Sequence, residues 1–292
     1  MADPGGKKWF SSALLGKLKK ETLETAAPYF TTPFSFEQVG VHEKHLRNYF
    51  KEFNYTSDSK PLNRPISILL FTNRSGSTII GEYLRATHRF TGFGEPLNYK
   101  LVIKRSEREQ IRTFPDYLSW ELEKFQLRDC MFGMKASYNQ AMMLVRSGAL
   151  SHYFTDVRWV IVQRDDILAQ AVSFSIAAQT EQWTSNKRDK AHKVVYDYKD
   201  IEKRIKALSV AYGAMNTFCA VMGISPYRVR YEDFVANPKQ GAERLAAYLG
   251  SDNIEFDESR LKMRKQSNSL SSEFKLKFLA DYRASLPFTK AR

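Results

Sequence analysis

A short apolar run that passes at once into a polar, glycine-containing loop and then a helical segment constrains this chain most. Ile66 to Phe71 is bounded by Pro65 and Asn73 and reads as a buried strand. The loop Thr72 to Ser77 follows, and then a helix over Thr78 to Thr87. Strand, tight loop and helix in that order open a nucleotide-binding α/β unit. The pattern continues downstream. Residues 112–128 read as a helix, Phe132 to Lys135 as a short strand and Asn139 to Val145 as a helix. Val157 to Gln163 is rich in β-branched residues and reads as a second buried strand, running into a helix over Ile167 to Gln182. A helix over 200–222, a strand over Tyr227 to Tyr231 and a helix over Pro238 to Leu249, closed by Gly250, complete it. Alternating strands and helices predict an α/β fold with a mostly parallel sheet covered on both faces.

The loop after the first strand carries the most chemistry. Phe71-Thr72-Asn73-Arg74-Ser75-Gly76-Ser77-Thr78 joins a helix start to a glycine, the hydroxyls of Ser75, Ser77 and Thr78, and the guanidinium of Arg74. Anions bind where backbone N–H groups converge at a helix N-terminus. Gly76 allows positive φ and close approach, and Arg74 supplies a forked cation. No G-x-x-x-x-G-K-[ST] string occurs, so this is not a Walker A loop. A second polar exit follows Val160 to Gln163, where Arg164, Asp165 and Asp166 stand at the expected carboxyl edge of the sheet and Ser173 lies nine positions beyond Arg164. An arginine at a strand end and a serine on the next helix can grip one phosphate together, and Asp165 and Asp166 suit helix capping. Two anion sites on adjacent loops suit a ligand with two phosphates, such as an adenosine 3′,5′-bisphosphate.

The 292 residues carry a net charge of +13, which favours an anionic partner without choosing among nucleotide, nucleic acid, lipid and glycan. Cys130 and Cys219 make neither a disulfide framework nor a metal site, and no clustered histidine pattern occurs; no metal is expected. Residues 1–60 differ from the rest and read as a basic, amphipathic extension before a domain over 61–292. Phe10, Leu14 and Leu18 share a helical face among Lys7, Lys8, Lys17, Lys19 and Lys20, so residues 7–20 suit a peripheral membrane or partner contact, docking onto the chain's own domain, or disorder. Nothing at the amino end reads as a secretory signal, and the apolar runs are far too short to span a bilayer. The expected location is cytoplasmic, with the membrane surface open.

Arg74-Ser75-Gly76-Ser77-Thr78, then Gly94-Glu95-Pro96, then Arg164-x-Asp166-x-x-x-Gln170-Ala171-x-Ser173 with Gln179-Thr180-x-x-Trp183, together resemble the trehalose 2-sulfotransferase family of bacterial carbohydrate sulfotransferases. Gly133-x-Lys135 with Asn139-Gln140, Tyr231-Glu232-Asp233 and Lys265-Gln266 extend the resemblance, which runs from about residue 66 to about residue 282. It implies a P-loop-like parallel sheet that uses 3′-phosphoadenosine 5′-phosphosulfate (PAPS) without metal. Arg74, Ser75, Gly76, Ser77 and Thr78 would bind the 5′-phosphosulfate, Arg164 and Ser173 the 3′-phosphate, with Lys265 also on the nucleotide, and Glu95 would be the general base. Lys135, Gln179 and Trp183 are candidates for acceptor contact. Leu97 to Asp129 departs from the family pattern in the region that shapes its acceptor pocket.

The implied reaction is in-line transfer of a sulfuryl group to a hydroxyl of a carbohydrate or glycolipid. Glu95 stands between Gly94 and Pro96, on a stiff loop, where it could take the hydroxyl proton. His88 is a rival base. A Mg²⁺-dependent kinase is the nearest alternative, but it would need the absent Walker lysine. Nucleic-acid binding is a further alternative that the charge permits, although Lys and Arg are scattered and no recognised module occurs, so no nucleic-acid partner is expected. A homodimer is open.

Overall fold

The computed structural model describes residues 39–125, 130–181, 194–261 and 269–286, all within the compact unit Phe36–Arg292. Residues 7–20, Trp183 and Lys265 lie outside the described residues. The chain order is α1 (Val41–Tyr49), β1 (Ile66–Leu70), α2 (Ser77–Arg85), β2 (Phe90–Gly94), α3 (Tyr99–Glu109), α4 (Phe114–Lys124), β3 (Met131–Ala136), α5 (Tyr138–Arg146), β4 (Val157–Gln163), α6 (Ile167–Thr180), α7 (Tyr198–Val221), β5 (Tyr227–Arg230), α8 (Tyr231–Ala236), α9 (Pro238–Tyr248) and α10 (Ser269–Ser285). A single π-helical turn, Ala149–Tyr153, links α5 to β4.

The five strands form one parallel sheet in the order β2-β3-β1-β4-β5. This is the α/β architecture expected from the sequence. Every residue of β1 is buried, because alternate side chains feed two cores. Ile66, Ile68 and Leu70 join Met134, Trp159 and Ile161 beneath α1, α3, α4, α5 and the end of α7. Leu69, Val160 and Val162 join Ile80, Leu84 and Leu245 of α2 and α9 on the other face. Each fully buried Ile or Leu side chain contributes about 1.5–3 kcal/mol, so the central strands are held from both sides. Helices α6, α7 and α10 share a third cluster around Val172, Leu208, Phe274 and Phe278.

Strand order places the site. β1 is followed by a crossover to the β2–β3 side, and β4 by a crossover to β5 on the opposite side. The carboxyl ends of the neighbours β1 and β4 therefore flank a topological switch point, where open α/β sheets bind ligands.

The expected elements shift by a few residues at their ends. Helix α6 stops at Thr180 rather than Gln182, because Glu181 takes a left-handed φ of 55°. Helix α4 starts only at Phe114, where Thr113 caps the N–H of Asp116 at 3.1 Å and Pro115 sits in the first turn. Strand β2 and helices α1, α3, α8 and α10 were not expected from local pattern. Helix α1 lies within 1–60, and Leu46, Phe50, Phe53 and Tyr55 all enter the main core.

Candidate functional site

The loop between β1 and α2 folds as a tight anion-type turn. Arg74 has φ 63° and Gly76 φ 92°, so two left-handed residues bend the chain and aim its amides at the start of α2. Ser75 N–H closes the turn on Thr72 O at 3.1 Å. The Ser75 hydroxyl is buried and has no hydrogen-bond partner among the described residues. A buried, orphaned hydroxyl in a turn of converging amides fits an anion as its missing partner. The Tyr231 ring packs on Gly76, where a Cβ would stand 2.2 Å from Tyr231 Cδ2. Gly76→Ala therefore faces both a left-handed backbone and a clash with a ring. It is expected to lower stability by about 1–3 kcal/mol in chemical denaturation.

The loop after β4 lies beside the first rather than apart from it. Arg164 Nη1 donates to Arg74 O at 3.3 Å, and its guanidinium stacks over Tyr231, 4.6 Å from the ring centre. Arg74 Nε donates to Ser173 Oγ on α6 at 2.9 Å. Arg74, Arg164 and Ser173, which the sequence spreads over a hundred positions, thus form one cluster. Burial, and after it the neighbouring Arg164, hold the Arg74 guanidinium below its ordinary pKa. Two cations pressed together favour an anion that both can meet.

A buried network fixes the two loops to each other. Gln170, fully buried on α6, donates through Nε2 to Thr72 Oγ1 at 2.8 Å and to Asn73 O at 2.7 Å. Its Oε1 accepts the Tyr212 hydroxyl at 2.8 Å, and Tyr212 in turn accepts the N–H of Arg164 at 3.1 Å. Local sequence pattern gives no role to Thr72, Gln170 or Tyr212. The available signal was an amide set between Ala169 and Ala171, next to Val172, in α6. Asp166 caps α6 through Ala169 N–H at 2.8 Å and pairs with Lys275 of α10. Burial alone would raise its carboxyl, but Lys275, the Ala169 amide and Arg164 bring it below the usual carboxylate value. Capping was the expected role for one of the two aspartates.

Glu95 is held on the other side of the loop. Strand β2 ends in a bulge across Gly92 and Gly94, with Phe93 at φ 55° packed over Gly133. The chain then leaves the sheet through Gly94-Glu95-Pro96. Pro96 O accepts the buried Tyr117 hydroxyl at 2.7 Å, Glu95 O accepts Asn98 N–H at 3.1 Å, and Tyr99 N–H donates to His42 Nδ1 at 3.1 Å. Lys135, at the end of β3 and almost fully buried, bridges the two halves of the site. Its Nζ donates to Thr78 Oγ1 and to Glu95 Oε1, each at 3.1 Å. One lysine therefore joins the first turn of α2 to the Glu95 carboxylate, whose side chain is 41% exposed.

Two other candidates fall away from this cluster. His88 follows the end of α2, at the amino edge of the sheet, and pairs with Asp257 at 3.2 Å. It is at the opposite edge from Gly76, away from the Lys135–Glu95 pair. Gln179 commits both ends of its amide to the backbone of Val195, each bond at 2.9 Å.

Residues 145–281, somewhat under half of the chain, match the family model of the Stf0 sulphotransferases. Three solved structures are similar to the chain. The sulfotransferase domain from the Synechococcus PCC 7002 olefin synthase is 12% identical, with 80% of this chain and 100% of that one covered and a TM-score of 0.46. The sulfotransferase from Alicyclobacillus acidocaldarius is 16% identical, with 75% and 93% covered and a TM-score of 0.42. The sulfotransferase domain from the curacin biosynthetic pathway is 13% identical, with 75% and 99% covered and a TM-score of 0.42. No curated protein matches the chain.

Proposed function

We propose that this chain is a sulfotransferase that takes its sulfuryl group from PAPS and passes it to a hydroxyl of a carbohydrate or glycolipid. The observation that carries the reading is the bridge Thr78–Lys135–Glu95, which sets a carboxylate beside an anion-binding turn. The Stf0 match over 145–281 supports the same class of chemistry.

The residues fit the nucleotide. The amides around Gly76, the orphaned Ser75 hydroxyl, Ser77, Thr78 and Arg74 would take the 5′-phosphosulfate. Arg164 and Ser173 would take the 3′-phosphate. PAPS, when bound, supplies a sulfuryl group on a good phosphate leaving group. Glu95 then accepts the acceptor's hydroxyl proton as the new S–O bond forms and the S–O bond to the 5′-phosphate breaks, with adenosine 3′,5′-bisphosphate as the leaving group. Arg74 and Lys135 stabilise charge that grows on the sulfuryl and bridging oxygens. The Gln170–Tyr212 network keeps both loops in register during the transfer. The departures in Leu97 to Asp129 argue against trehalose itself as the acceptor.

The test is transfer from ³⁵S-labelled PAPS to a panel of disaccharides, glycolipids and lipopolysaccharide fragments, with and without EDTA. Labelled glycan that forms equally well in EDTA is the expected result. Phosphoryl transfer from ATP that needs Mg²⁺, with no label moved from PAPS, would replace this reading by the kinase.

A further inference from the structure

The Arg164 loop already holds a carboxylate. Glu232, at the start of α8, accepts the N–H of Asp165 at 3.1 Å through Oε2 and the N–H of Asp166 at 3.4 Å through Oε1. Oε1 also lies 3.7 Å from Arg164 Nε, a buried nitrogen with no hydrogen bond among the described residues. Two successive backbone amides and a guanidinium are the donor set that a phosphate takes. Arg230 pairs with Asp165 and Asp233, and Lys275 with Asp166. Arg230 also acts on Glu232 through space, less strongly than on Asp165 and Asp233.

We propose that Glu232 is the internal counter-anion of the Arg164 pocket, a positioning residue that holds Arg164 and its turn while weakening their grip on the nucleotide's second phosphate. The inference rests on the function proposed above. A negative charge beside Arg164 repels an incoming phosphate, and the same repulsion speeds departure of the spent bisphosphate. Glu232 stays partly exposed, so the interaction is screened and modest in size.

The test titrates adenosine 3′,5′-bisphosphate calorimetrically into the full chain, as wild type, Glu232→Gln and Glu232→Asp, with a thermal midpoint for each. Glu232→Gln keeps an oxygen for the amides but removes the charge. It is expected to bind about fivefold tighter than wild type, the size of a screened charge interaction. A residue that only supported the fold would bind more weakly when changed, so tightening separates the two roles. If Glu232→Gln folds and binds no tighter, the proposal is overturned. If it does not fold, Glu232→Asp decides: its shorter arm withdraws the charge from Arg164, so binding tightens by a smaller factor if the proposal holds and stays level or weakens if it does not. A flat wild-type titration would instead remove the proposed function, and this inference with it.

Discussion

Arg74→Ala is expected to lower turnover by about 10²–10³, the usual cost of losing a preorganised charge-stabilising donor. The guanidinium sits at the junction of both loops, bonded to Ser173 and beside Arg164. In the proposed function its loss would remove a cation from the place where sulfuryl charge grows, and it also removes the bond to Ser173. Nucleotide binding should therefore fall together with turnover. Arg74→Lys should recover part of the binding and little of the rate, because an ammonium cannot replace the planar fork. Single-turnover rates with labelled PAPS, alongside calorimetry with adenosine 3′,5′-bisphosphate, separate the two effects. An Arg74→Ala enzyme with wild-type rate and affinity would remove Arg74 from the site.

Glu95→Gln is expected to cost about 10²–10⁴ in the chemical step, the range for a positioned general base. Here the nucleotide should bind almost as in wild type. The glutamine oxygen can still accept the Lys135 bond. The split is the diagnostic: Arg74 variants lose both binding and rate, whereas Glu95 variants lose rate alone. Unchanged turnover in Glu95→Gln, measured where chemistry limits the rate, would take the base assignment away.

Much of the site was legible because it lies where local patterns are strongest. Ile66 to Phe71 and Val157 to Gln163 read as buried strands because nearly every side chain is apolar, as strands covered on both faces require. Both polar exits, at Arg74 and at Arg164, follow directly. Their adjacency was expected, but the contact between them was not legible, since it depends on strand order that makes β1 and β4 neighbours about 90 positions apart. The two anion sites were expected on adjacent loops, and Arg74 of the first bonds Ser173 of the second. Strand β2 was hidden because Gly92 and Phe93 take positive φ and a bulge breaks the alternation. Helix α1 was hidden because its inward face carries Glu43, which is buried only by virtue of Arg47 and Arg146, each bonded to it at 2.8 Å. No local pattern announces a core carboxylate whose partner comes from α5. Gln170 is similar: its amide is at home in α6 only because Thr72, Asn73 and Tyr212 converge on it.

In the proposed function the loops at Arg74 and Arg164 bear on one ligand, and binding selectivity tests that directly. Adenosine 3′,5′-bisphosphate, adenosine 5′-monophosphate and ATP are to be titrated into the wild-type chain at a single salt concentration. The bisphosphate is expected to bind at least about tenfold tighter than the monophosphate, since its 3′-phosphate adds charge-assisted bonds of about 1.5–3 kcal/mol each. Equal affinity for the bisphosphate and the monophosphate, or a preference for ATP, would contradict the account.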